Sequence, residues 1–245
     1  MLPVLARQHF VGGYRAARLG LLWTAIQPLI RGAVLAFVFT QIVRIETDSP
    51  YPAFVLAGTA TWAWISQSVT GGTTSIVATA GLAGRVYFPR LILPAMPAAA
   101  SLPSFGITLV VVIGVAAGFG APPTVRLLAL PVALIAALLL VFSMAMCLSL
   151  LHVYFRDIGH LVQSGMLMVF YATPIIYPAS MAGRFEPLLH ANPFSGVVLL
   201  IRWSLLGSSE PLLVPVAWMA GWTLVLGAIG MTAFRRFDRI CVDRL

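Results

Sequence analysis

The chain has 245 residues, of which 60% are hydrophobic and only 9% charged, and it carries a formal net charge of +8. Ordinary soluble domains carry about 25% charged residues, so this chain lacks the polar surface needed to cover a water-soluble globule. Its basic excess does not mark a nucleic-acid binder: every basic residue is an arginine, and the arginines gather at the ends of apolar runs, as in proteins threaded through a membrane.

A bilayer core about 30 Å thick needs about 20 helical residues to cross it. Barrel strands would be about 10 residues of alternating polarity, and the apolar runs here are neither short nor alternating. The expected fold is an all-α integral membrane protein with six transmembrane helices. Residues 1–18 mix Val4, Leu5, Phe10, Val11 and Tyr14 with Arg7, Gln8, His9, Arg15 and Arg18, which suits an amphipathic helix lying in the membrane interface. They lack the long apolar core of a cleavable signal peptide. Residues 19–245 then form a single membrane domain. Span one covers residues 19–43 and contains Arg31, and span two covers 52–79.

The loop "GLAGRVYFPR" precedes span three, at 91–119. Consecutive prolines in "GAPPTVR" make a turn, and span four covers 127–153. The polar stretch "HVYFRDIGHLVQ" leads into span five, at 161–177. Residues 178–211 are too long for a turn and too apolar for a free loop. Asn192–Pro193 divides them into two short re-entrant helices that dip partly into the membrane. Span six covers 212–234, and an arginine-rich tail, 235–245, ends the chain.

Positive charge concentrates on the cytoplasmic side of membrane proteins. With the N-terminus inside, Arg7, Arg15, Arg18, Arg85, Arg90, Arg156, Arg235, Arg236, Arg239 and Arg244 are cytoplasmic, against Arg44, Arg126, Arg184 and Arg202 outside. Both termini are therefore expected in the cytoplasm. Glu186 and Glu210 are read as solvated outer residues. The chain has no lysine, which excludes a Walker A phosphate loop and Schiff-base chemistry. No HExxH, CxxC or GxSxG motif is present. The four histidines and two cysteines show no ligand spacing, so no metal or cofactor is expected in this chain. Any active transport must draw its energy from a partner.

Four ordered stretches resemble one family. They are "YRAARLGLLWTAIQPLI" (14–30), "RVYFPRLILP" (85–94), "YFRDIGHLVQ" (154–163), and "TPIIYP" (173–178) followed by "NPFSGVVLLIRWSLLG" (192–207). Together they resemble the permease subunit of type-2 ABC exporters, in the group that exports O-antigen, capsule, teichoic acid or related lipid-linked glycans. The N-terminal segment is shorter than is usual there. The resemblance implies a multi-pass protein of the bacterial cytoplasmic (inner) membrane. It would work as a homodimer with two copies of a separate ATPase subunit, which binds ATP and Mg. A lipid-linked glycan would pass through a channel at the dimer interface.

The resemblance also implies roles for particular residues. Arg85, Tyr87, Phe88, Pro89 and Arg90 would form a coupling helix seated in the ATPase; the plainer reading is a basic turn. Arg156 and Asp157 would make a second contact beside it, or simply a capped turn in which Asp157 caps span five. Most aromatics on the spans belong to lipid-facing surfaces or interface belts, but Phe37, Tyr171 and Tyr177 are candidates to line the channel and stack on sugar rings. Arg31 departs from the apolar residue usual at this point of the resemblance; a charge that costly in mid-span should face the pore, a partner or an anionic lipid group, or snorkel along a tilted span. Two rival functions stand beside glycan export. One is a drug or lipid exporter of the same superfamily. The other is an intramembrane enzyme, for which Ser164 and His152 exist without an accompanying motif.

Overall fold

The computed structural model describes residues 22–38, 47–79 and 90–237. Among them every regular element is helical. The helices are α1 (Leu22–Val38), α2 (Tyr51–Ala78), α3 (Met96–Gly118), α4 (Leu130–Tyr154), α5 (Ile158–Tyr171), α6 (Glu186–Ala191), α7 (Pro193–Leu206) and α8 (Leu213–Phe237). Short 3-10 turns lead into α3 (Arg90–Ala95), α4 (Val125–Ala129) and α6 (Ala179–Phe185). The expected interface segment 1–18 lies outside the described residues, as do parts of the ends expected for span one.

Helix α2 is the axis of the bundle, and α1, α3, α4, α5 and α7 pack around it. Its sequence is rich in Ser, Thr and Gly, a composition more at home on a surface than in a core. Two local devices let it be buried. Thr59, Thr61, Thr70 and Thr73 each donate their hydroxyl to the carbonyl one turn back, so these threonines are satisfied within the helix, while buried Ser68 has no partner among the described residues. The small residues admit neighbours at close range. A Cβ on Gly72 would lie 2.6 Å from Ala145 Cβ and 2.8 Å from the Pro94 carbonyl oxygen. Similarly, a Cβ on Gly196 of α7 would lie 2.5 Å from the Pro215 carbonyl oxygen. Small residues at such crossings are the usual means of bringing membrane helices together.

Among the described residues, three helices are long and apolar enough to cross a membrane: Leu91–Gly118, Val125–Tyr154 and Leu213–Arg236. Their outward faces carry exposed apolar side chains such as Val110, Val132 and Leu224, as lipid contact requires. Trp62 and Trp64 do not form an interface belt. Both are buried, Trp62 edge-on to Phe170 and Phe194 and Trp64 stacked on Phe105 at 5.0 Å.

Helix α5 differs from the span expected at 161–177. It starts at Ile158 and stops at Tyr171 after 14 residues, a rise of about 21 Å at 1.5 Å per residue. Thr173 precedes a proline, which biases it away from helical backbone, and residues 172–178 run as an irregular turn. Two short helices follow, separated at Asn192 as expected. The bundle thus has two ends. One carries this turn, α6 and α7. The other carries Arg90, Arg156 and the end of α8, joined by a cluster of Ile76, Leu93, Met146, Leu150 and Phe234.

Candidate functional site

At the short-helix end the chain breaks out of helical geometry inside an apolar setting, and each freed carbonyl needs a donor. All six carbonyls from 171 to 176 have one. The Tyr177 hydroxyl donates to the Tyr171 carbonyl (2.7 Å) and Asn192 Nδ2 to that of Ala172 (3.1 Å). The Ile175 N–H donates to the Thr173 carbonyl (2.7 Å). Arg202 Nη1 and Nη2 donate to the carbonyls of Pro174 (3.1 Å) and Ile175 (3.0 Å). The Tyr51 hydroxyl donates to the Ile176 carbonyl (2.8 Å). The motifs "TPIIYP" and "NPFSGVVLLIRWSLLG", separate in sequence, are thus two halves of one hydrogen-bonded unit.

Arg202 is the centre of that unit. It is fully buried, at 0% exposure. Its guanidinium carbon lies 3.5 Å from the centroid of the Phe54 ring, and Nη1 is 3.6 Å from Glu210. A planar fork that hydrogen-bonds along its edges while stacking on an aromatic face is what arginine offers and lysine does not. Gly58 makes room for it, since a Cβ there would lie 2.8 Å from both Arg202 Nη2 and the Ile175 carbonyl oxygen. Asn192 caps α7 by accepting the Phe194 N–H at 3.0 Å while also donating to Thr173 Oγ1 at 2.9 Å. Arg126 closes the far end of α7, donating to the Gly207 carbonyl at 2.7 Å. Gly207 itself adopts the left-handed conformation of a helix C-terminus, with φ +68. Asp48 accepts a hydrogen bond from Ser209, which ties the entry of α2 to the entry of α8.

One expectation is corrected here. Glu210 is not a solvated outer carboxylate; it faces Arg202 and its other oxygen accepts the Ala179 N–H at 3.4 Å. The buried role of Arg202 was not anticipated. The signal that could have found it was a lone arginine inside an apolar helical run, because such a residue in a membrane protein needs a dedicated partner.

The other end holds a second site. Arg156 and Asp157 lie in the turn between α4 and α5, both exposed. Asp157 occupies the N-terminal capping position of α5, but its side chain makes no capping hydrogen bond. The cap comes instead from buried His152, whose Nδ1 accepts the Gly159 N–H at 3.2 Å. Asp157 has helical backbone angles, φ −68 and ψ −18, whereas a capping side chain is normally carried on non-helical backbone.

The sequence profile of the ABC-2 type transporter family matches residues 2–206. The chain belongs to the ABC-2 type transporter family. It is also 24% identical over 239 residues to an O-antigen export system permease protein RfbA of Klebsiella pneumoniae, covering 96% of this chain and 91% of that one. A Myxococcus xanthus protein of the same name is 30% identical over 180 residues, covering 74% and 69%. A second Klebsiella pneumoniae protein of that name is 26% identical over 204 residues, covering 82% and 78%. This ABC-2 chain is accordingly a multi-pass membrane protein, and permeases of the family pair with ATPase subunits.

Within this ABC-2 permease, Arg85, Tyr87, Phe88 and Pro89 lie outside the described residues, as do the side chains of Arg31 and Arg90. The 3-10 turn that begins at Arg90 packs on α4, at the end of the bundle that also carries the Arg156–Asp157 turn. At the opposite end, Phe37 of α1 is 68% exposed and Tyr171 is 61% exposed. Tyr177 is half-buried and its hydroxyl is committed to the turn. The three aromatics named from sequence share one end.

Two outcomes follow. Arg202→Met leaves the Pro174 and Ile175 carbonyls and Glu210 without their partner, and should destabilise the protein by about 3–5 kcal/mol, as when one member of a buried pair is removed. Arg202→Lys should fall between Met and the wild type, and unfolding in lipid nanodiscs reads both. At the other end, His152→Ala should lower stability by about 1 kcal/mol through loss of a cap. Asp157→Ala and Asp157→Asn should match each other in the same unfolding measurement, because no capping bond distinguishes them.

Proposed function

We propose that this chain is the permease subunit of an ATP-driven exporter that moves a lipid-linked polysaccharide across the bacterial cytoplasmic membrane. Two copies would enclose the channel, and two copies of a separate ATPase subunit, which binds ATP and Mg, would drive it. The observation that carries this reading is the extent of the likeness to O-antigen export permeases, which runs through the helical bundle and the short-helix end alike. The absence of lysine supports it independently, since without a phosphate-loop lysine the energy must come from another chain.

The charge distribution supports an orientation with Arg90, Arg156, Arg235 and Arg236 on the cytoplasmic side. Six spans follow, with both termini in the cytoplasm and residues 178–211 re-entrant from the outside. Helix α5 supports a dimer. Only Met166 of its side chains is buried, and Leu161, Leu167, Met168 and Tyr171 are exposed along it. A helix too short to span alone, with an apolar face left uncovered, is suited to packing against a second copy across a channel. Phe37, Tyr171 and Tyr177 would meet the sugar chain near its exit, and Arg31 would meet its anionic carrier group.

Coupling rests on the cytoplasmic end. Arg85, Tyr87, Phe88, Pro89 and Arg90 would seat in the ATPase, with aromatic anchors inside a charged rim, and Arg156 with Asp157 would touch it alongside. Phe88→Ala and Arg90→Glu should preserve assembly with the ATPase while separating hydrolysis from export. Co-purification, ATP turnover and surface glycan measured on the same strains check this. Normal export by both variants would overturn the coupling role.

A further inference from the structure

The seam between α2 and α3 holds a cavity of about 310 Å³ lined by residues that include Gln67, Thr74, Ser75, Ser101 and Ser104. A smaller cavity continues it along the same seam and shares Gln67, Ser101 and Ser104, adding Trp64. Together they form a groove from the middle of α2 toward the Arg156 end. None of its lining residues is charged.

The polar groups of this groove divide by chemistry. Thr74, Ser75, Ser101 and Ser104 donate their hydroxyl protons to carbonyls of their own helices, which leaves oxygen lone pairs free to accept. Two donors have no partner. The Trp64 indole N–H is buried at 3% exposure without a hydrogen bond, although its ring lines the groove and is fixed by the stack on Phe105. The Gln67 amide is exposed one turn further along α2 and makes no hydrogen bond among the described residues. Trp64 and Gln67 sit near the midpoint of a 28-residue helix. Unpaired donors at that depth are costly against hydrocarbon.

A ligand that satisfies this set must both donate and accept, must carry no net charge, and must present apolar surface between its polar groups. An acyl chain would leave both donors unpaired, and a phosphate would meet no cation. A sugar residue meets every condition, since each hydroxyl donates and accepts and the ring C–H faces are apolar. We propose that the α2–α3 groove binds uncharged, hydroxyl-bearing sugar residues of the transported chain in the inner half of the membrane. This rests on the glycan-export reading and adds a binding surface distinct from the aromatics at the opposite end.

The test uses Gln67→Cys and Thr74→Cys in the full-length protein within its own cells. Thr74→Cys is close to isosteric, so it keeps the test valid if Gln67→Cys fails to fold. Cells are treated with N-ethylmaleimide, which reacts with a hydrated thiolate and not with a thiol held in hydrocarbon. The parent chain, with Cys147 and Cys241, sets the background. Both positions should react when glycan synthesis is blocked upstream and be protected when glycan is being made. No reaction in either state would mean a lipid-covered groove, and equal reaction in both would mean a groove holding water alone; either overturns the proposal. Deleting the gene in the same strain separates the two levels. Loss of surface glycan on deletion with no protection at Thr74 rejects the groove alone, whereas surface glycan that survives deletion rejects the export reading beneath it.

Discussion

The short-helix end depends on one constraint, that backbone freed from a helix in apolar surroundings must find a donor for every carbonyl. Six successive carbonyls meet it, and Arg202 supplies two of the bonds while stacked on Phe54. The consequences spread outward. Gly58 must be small so that the guanidinium and the Ile175 carbonyl can approach α2. Tyr51 and Asn192 are held in place by the same turn. Glu210 is drawn in to balance the charge and so fixes the start of α8. A short α5 is possible only because the turn that ends it is fully bonded.

The same logic, with a different solution, governs the centre of the bundle. Helix α2 is buried despite its hydroxyls because its threonines bond within the helix, and its glycines let neighbours close on it. Where that scheme stops, at Trp64 and Gln67, donors remain unpaired beside a groove. At one end of the molecule the broken backbone is bonded carbonyl by carbonyl, and the seam leading toward the other end carries unpaired side-chain donors.

Much of this was legible in the amino-acid sequence. Charge-free runs marked the long helices, and Asn192–Pro193 marked the break between α6 and α7. The end of α5 was misplaced, because Ile175, Ile176 and Tyr177 continue the apolar pattern past Pro174, and the bonds to Arg202 and Tyr51 that hold the broken backbone are tertiary. Glu210 was read as solvated because its partner Arg202 stands 8 residues away in sequence, and their pairing is a tertiary contact. Trp62 and Trp64 resembled belt residues because periodicity does not distinguish a helix surrounded by protein from one facing lipid. His152 was read as one of four scattered histidines, and its capping role depends on the tight turn from α4 into α5.

Transport of the glycan itself, powered by a separate subunit, is the central claim. It is tested most directly in proteoliposomes that contain the purified chain, its ATPase partner and a lipid-linked polysaccharide, with a lectin reporting the glycan that reaches the far leaflet. The predicted result is glycan appearing on that side only when ATP and both subunits are present. ATP hydrolysis with the glycan left where it began, or movement of free lipid or drug in its place, would contradict it.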